Sequence, residues 1–300
     1  MTTSTPVRPA LAFAVAAIGI FVFACMDAVM KGLVIALGVY TTMIWRTFAG
    51  VAISGTLYAA TRAPWPSRAA MRLHLIRGAV TVVMALTFFW GLARVPMAQA
   101  IALAFIAPVI ALFLAALILK ERVPRGSVIA CVLAAIGVGL ILTGQARAEL
   151  GPEALKGTIA ILFSALCYAF NIVLMRAQAL VAGPVEVAFW QSLIVFACLV
   201  PAAPWFAHVP DAAHWPVIVL AAVFATVSLL LLGWAYQHGS ASYLAPTEYT
   251  SFVWAAILGW IVFAETLSSW TVAGAALIVG GCVVAARGKP SPVPQVEIAS

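Results

Sequence analysis

The stretch GSASYLAPTEYTSFVW, residues 239 to 254, sets one carboxylate, Glu248, beside Tyr243, Thr247, Thr250, Ser251 and Trp254 in surroundings that are otherwise almost all Ala, Val, Leu, Ile, Phe or Gly. At helical spacing Tyr243, Thr247, Thr250 or Ser251, and Trp254 share one broad face, with Glu248 on its shoulder about 100° from Thr247. Aromatic walls with polar tips suit a small amphipathic solute, and a cationic amine is held well against such faces. A carboxylate inside an apolar span costs about 3 kcal/mol and as a rule faces a bundle interior or a wet cavity. Glu248 can therefore pair with a substrate ammonium, carry a coupling proton, or tie helices together through a neighbouring Tyr or Ser. Its residue type alone leaves the three open.

A second constellation lies near the N-terminus. Asp27 and Lys31 are four apart with the acid first, the favourable order for a helical ion pair. A hairpin about Gly38 brings Lys31 level with Trp45 and Arg46, so Asp27, Lys31 and Arg46 are expected to form one cluster. Its surplus positive charge would draw a substrate carboxylate or close an outer gate; a purely structural, outward-snorkelling cluster is the plainer reading. Tyr168 and Asn171 are further cavity candidates, followed by Trp90, Trp190, Gln191, Trp234, Gln237 and His238. Pro108 and Pro246 each remove a backbone hydrogen bond within a span and are expected to kink helices or shape packing.

The elements that must position these groups follow from composition. The chain of 300 residues is 65% hydrophobic and 8% charged, which marks an all-α integral membrane protein. A hydrocarbon core about 30 Å thick needs about 20 helical residues per crossing, so the length accommodates on the order of ten spans. Apolar stretches near 10–36, 40–61, 157–181, 185–207, 214–237, 241–264 and 269–286 supply seven. The breaks RAPWPSRAAMR, RVP, KERVPRG and QARAELGPEALKG delimit three more. The first stretch is too long for a signal peptide and reads as a permanent span. Basic residues gather on the cytoplasmic side, which places both termini in the cytoplasm and the Lys- and Arg-free connection PAAPWFAHVPDAAHWP outside. Arg77, near the start of the third span, is expected to snorkel to the cytoplasmic surface.

An internal repeat divides the chain into 1–146 and 147–300. Residues 88–121 align without a gap on 232–265, setting Trp90 against Trp234 and Glu121 against Glu265. A one-residue shift sets Trp45-Arg46 against Trp190-Gln191 and Lys31 against Arg176. Five spans per half is an odd number, so the second half enters from the opposite side, and such inverted repeats enclose a solute site near the midplane. The small-residue runs AAIGVGLILTG (134–144) and AGAALIVGGCVVAARG (273–288), in spans five and ten, read as scaffold or as a homodimer face.

Several classes are excluded. The net charge of +7 is spread along short loops and not gathered into an aromatic-interleaved basic patch, so no nucleic-acid partner is expected. The five cysteines sit in apolar runs, and the histidines are scattered at 74, 208, 214 and 238. No metal or other cofactor is implied. The chain lacks GxxxxGK[ST], HExxH and GxSxG, which leaves ATP-driven pumping and the commoner intramembrane hydrolases without their machinery. An intramembrane enzyme acting on lipid or peptide is the alternative to transport.

Ten spans, two repeats, and a Pro-containing fourth or ninth span ending in LKERV or AETLS resemble the EamA family of the drug/metabolite transporter superfamily. Both endings depart from the family's Gly-Glu-Arg-like pattern, with Lys120 and Ala264 before the Glu. The resemblance implies a ten-helix bundle around a central cavity in a bacterial-type cytoplasmic (inner) membrane. It also implies a secondary transporter exporting amino acids or related metabolites by alternating access, most like the aromatic amino-acid exporters.

Overall fold

The computed structural model describes residues 9–61, 65–107, 109–111, 114, 125–147, 151–179, 181–238 and 241–287. Among the described residues all regular structure is helical. The helices are α1 (Pro9–Leu37), α2 (Val39–Ala60), α3 (Arg68–Leu92), α4 (Met97–Ala104), α5 (Arg125–Arg147), α6 (Gly151–Ala179), α7 (Pro184–Leu199), α8 (Trp215–His238), α9 (Ala241–Phe263) and α10 (Ser269–Arg287). Five stretches are long and apolar enough to cross a membrane: α1, α3, most of α6, α7 with its continuation to Phe206, and the segment Ala212–Ala235 that forms most of α8.

Local chemistry explains the boundaries. The apolar run through α1 and α2 breaks at Gly38, whose φ of 78° is a backbone state that a side chain disfavours. Ser67 caps α3 by accepting from Ala70 N at 3.1 Å. At Val200–Ala202 the helix tightens into a 3-10 turn around Pro201, and a short helix, Ala203–Phe206, then carries the chain toward α8.

The largest helix contacts among the described residues keep their pattern when the first five helices are exchanged with the last five. Helix α1 packs against α8 and α9, as α6 packs against α3 and α4; α2 with α7, α4 with α9 and α5 with α10 are self-matching pairs. The α5–α10 contact is close because it is built from glycines. A Cβ on Gly137 would meet the Gly274 carbonyl and Ile278, and one on Gly274 would meet the Gly137 carbonyl and Ile141. The two small-residue runs thus serve as scaffold within one chain, and the faces that meet are not free for a second copy. Gly91 and Gly157 bring α3 and α6 together in the same reciprocal way.

Candidate functional site

Two polar regions lie at opposite ends of α3. At its start, α3, α6 and α7 build a chain of buried and half-buried side-chain hydrogen bonds. Arg77 Nε donates to Asn171 Oδ1 at 2.9 Å, and a second guanidinium nitrogen donates to Gln178 Oε1. The Gln178 amide meets His74 Nδ1, and His74 Nε2 lies 3.0 Å from Glu186 Oε1. Asn171 Nδ2 turns to Thr81 at 3.2 Å. His74 and Gln178 are wholly buried, and Trp190 stacks over the imidazole.

The donor order is forced. A guanidinium only donates, so Gln178 must offer Arg77 its oxygen and His74 its amide N–H. The hydrogen-bond network therefore assigns His74 Nδ1 as acceptor and Nε2–H as donor to the Glu186 carboxylate. Every member holds the next, and the result is a fixed Arg77.

Arg77 was expected to snorkel outward, and this is corrected: it points inward because Asn171 and Gln178 present acceptors matched to its planar fork. Two of its five N–H donors are taken, which leaves three. No carboxylate lies within 4.0 Å of it among the described residues. Tyr168, one turn before Asn171 on α6, is 38% exposed, yet its hydroxyl lies within electrostatic reach of both Arg77 and Glu248. Arg77 and Glu248 thus bring opposite charges to bear on one phenol.

Of the α9 candidates, Glu248 is half-buried and has contacts of its own. The hydroxyls of Thr247, Thr250 and Ser251 donate back along their own helix, to Leu244 O at 2.7 Å, Thr247 O at 2.6 Å and Glu248 O at 2.6 Å. Their donors are spent; only their lone pairs remain to offer a solute. Trp254 packs edge-on against Phe21 of α1, 4.8 Å between ring centres. Pro108 lies outside the described residues, as do the side chains of Tyr243 and Pro246.

At the other end of α3 the expected cluster of Asp27, Lys31 and Arg46 is divided. Lys31 turns away from Asp27, donates to Val95 O at 2.6 Å and pairs with Glu265 Oε1. The second Glu265 oxygen accepts from Met97 N at 2.7 Å, in the first turn of α4, where the helix end favours an anion. One carboxylate so joins α1, the α3–α4 turn and the α9–α10 turn. Lys31 also lies 5.2 Å from the Phe263 ring centre. Asp27, 1% exposed, faces Arg46 through space with no ion pair within 4.0 Å. Among the described residues Asp27 Oδ1, Arg46 Nε and Thr42 Oγ1 are all buried without a hydrogen-bond partner. Gln191, which the repeat aligns with Arg46, likewise has both amide atoms buried and unpartnered.

The α7–α8 connection folds over this end. Trp45 Nε1 donates to His208 O at 2.8 Å, Tyr40 donates to Leu199 O, and Trp45 meets Trp215 edge-on at 5.0 Å. Beside Glu265 a cleft of about 180 Å³ is lined by Pro96, Gln99, Gly144, Ala255 and Thr271. That is below the roughly 300 Å³ at which solute pockets begin. Among the described residues no group of His, Cys, Asp and Glu is placed to hold a metal.

Residue type and spacing singled out Asn171 and Tyr168 but missed His74, Arg77, Gln178, Glu186 and Glu265 as site members. A signal existed: His74 and Arg77 are three apart and so share a helix face, as do Asn171 and Gln178, seven apart.

Comparison with known proteins agrees with this architecture. The model of the EamA-like transporter family matches residues 10–143 and again 155–287. The chain is 27% identical over 225 residues to the pseudopaline exporter CntI of Pseudomonas aeruginosa, covering 74% of this chain and 78% of that one. It is 25% identical over 223 residues to a riboflavin transporter of Brucella anthropi (72% and 76% covered). It is 22% identical over 207 residues to an S-adenosylmethionine uptake transporter of Rickettsia prowazekii (69% of each). A solved crystal structure superposes with a TM-score of 0.60 at 21% identity over 92% of this chain and 96% of that chain, which shows a shared fold.

Proposed function

This chain belongs to the EamA-like transporter family and is a multi-pass membrane transporter rather than an enzyme, and from that premise we propose that it is a secondary exporter of amino acids or related small zwitterionic metabolites. It acts across a bacterial cytoplasmic membrane by alternating access between two inverted five-helix halves, with ten spans and both termini inside. The exchange-symmetric helix packing supports the repeat. In this orientation the Lys31–Glu265 end faces outward and is shut, while the His74 end faces the cytoplasm.

One observation carries the reading: Tyr168 is partly exposed, and its hydroxyl lies within electrostatic reach of both a cation that no carboxylate pairs among the described residues, Arg77, and a carboxylate, Glu248, which supports an interior solute space at this place. A zwitterion offers the complement, its carboxylate to the free donors of Arg77 and its ammonium to Glu248, with Tyr168 as an aromatic wall. The named relatives carry chemically different solutes in both directions. The fold therefore leaves solute choice to side chains such as these. A homodimer through α5 and α10 would use the faces turned away from their mutual contact, where Ile136 and Val272 are exposed.

The test is flux in proteoliposomes with a panel of labelled amino acids, aromatic ones included. Saturable counterflow of a chemically unchanged amino acid is expected. Equal leak of every compound, or chemical conversion of the solute, would refute the proposal.

A further inference from the structure

We propose that Asp27 is the binding site of the proton that drives transport, and that Lys31 is the cation that displaces it. The inference rests on the transporter reading and orientation above. Three observations point to it. Asp27 is sealed in the interior with one carboxylate oxygen lacking any hydrogen-bond partner. Lys31, four residues on and in the right register for a helical pair, is engaged elsewhere, by Glu265 and Val95 O. Arg46, the facing cation, also keeps a buried nitrogen unpartnered and does not close on the carboxylate.

An ionised carboxylate at this depth, with Oδ1 lacking a hydrogen bond, is the costly state, and protonation removes its charge. Arg46 faces it through space and offsets part of that cost, but makes no ion pair with it within 4.0 Å. Helix α1 packs against α2, α3, α8 and α9. Of these, α2 carries Arg46, α3 carries Arg68, Arg72, His74 and Arg77, α9 carries Glu248, and α8 has no charged residue between Trp215 and Gln237; Arg46 is the one whose charge acts on Asp27. Arg77 is already held by Asn171 and Gln178. On its own helix only Lys31 is free to change partner.

The exchange balances. When the halves separate at the outer end, Glu265 leaves Lys31, and the ammonium turns one helical step to the Asp27 carboxylate. A proton arriving from outside then adds to Asp27, the neutral acid no longer holds Lys31, and the ammonium returns to Glu265 and shuts the outer end. The proton leaves toward the cytoplasm as the inner side opens. Solute and proton thus move in opposite directions.

The chain has two aspartates, Asp27 and the exposed Asp211, so isotope labelling isolates the group. In Asp211→Asn protein labelled with ¹³C-carboxyl aspartate and placed in lipid vesicles, every isotope-shifted infrared band belongs to Asp27. A protonated-carboxyl band that shifts on labelling and vanishes in alkaline buffer is expected. An isotope-shifted carboxylate band with no protonated form, even in acid, would overturn the proposal. In parallel, vesicles loaded with labelled phenylalanine are given an imposed pH gradient. A stimulation of efflux of at least tenfold in the wild type, lost in Asp27→Asn, is expected; stimulation retained in Asp27→Asn would overturn it. A wild type that does not move phenylalanine would count against the solute assignment, while the infrared result still decides the proton site.

Discussion

The two polar ends of α3 use charge in opposite ways. At one end two formal charges, Lys31 and Glu265, meet across segments far apart in sequence, with Val95 O and Met97 N completing the contact. At the other a single cation, Arg77, is held by neutral amides of α6, braced through His74 to Glu186. An ion pair that joins three segments breaks when they part, which is how a gate behaves. A cation fixed by neutral acceptors keeps its charge available, which is how a binding group behaves.

The most severe way to break this contrast is to remove the fixed cation. Arg77→Ala is expected to lower proteoliposome flux by on the order of 100-fold, equivalent to about 2.7 kcal/mol. It also orphans Asn171 and Gln178, lowering thermal stability. Arg77→Lys should not rescue, because an ammonium lacks the planar fork. Flux within about twofold of wild type in either variant would take Arg77 off the solute path.

The gate is sharpened by a charge exchange. Lys31→Met or Glu265→Gln should cost roughly tenfold in flux and open the outer end to membrane-impermeant thiol reagents, since one partner is left buried and unpaired. Lys31→Glu combined with Glu265→Lys should fail to restore either property. Val95 C=O and Met97 N–H have fixed polarity and would face the wrong charges. Full recovery in the double variant would mean that only the Coulombic pairing matters.

Smaller effects come from regions away from both ends. Gly137→Leu inserts a side chain where the Gly274 carbonyl lies and should cost about 1–3 kcal/mol of stability by thermal unfolding, with flux per folded molecule little changed. Ser251→Ala and Thr250→Val delete hydroxyls that serve their own helix; changes within about 0.5 kcal/mol are expected. A large loss of flux in either would return that hydroxyl to the solute site.

These differences mark what a linear reading can reach. The helices, the break at Gly38 and the α5–α10 packing follow from apolar length, one glycine and small-residue spacing, all local. Asn171 and Tyr168 stood out as polar groups in an apolar run. The destination of a long cation did not: Lys31 had Asp27 at an ideal spacing, yet Glu265, 234 residues away, offers a carboxylate already set at a helix end. Arg77 looked like a surface anchor because its acceptors sit 94 and 101 residues downstream. Thr250 and Ser251 looked like recognition groups because a helical hydroxyl shows its type but not whether it bonds back to its own backbone.

The central claim is that Tyr168 looks into a solute space open to the cytoplasm while the Lys31–Glu265 end is shut. Its most direct test is Tyr168→Cys, in a chain whose five native cysteines are replaced, treated with an impermeant thiol reagent in oriented vesicles. Labelling from the cytoplasmic face, and only weakly from the outer face while Lys31 and Glu265 are intact, is the expected result. Labelling solely by a lipid-soluble reagent would place Tyr168 against acyl chains and contradict the account.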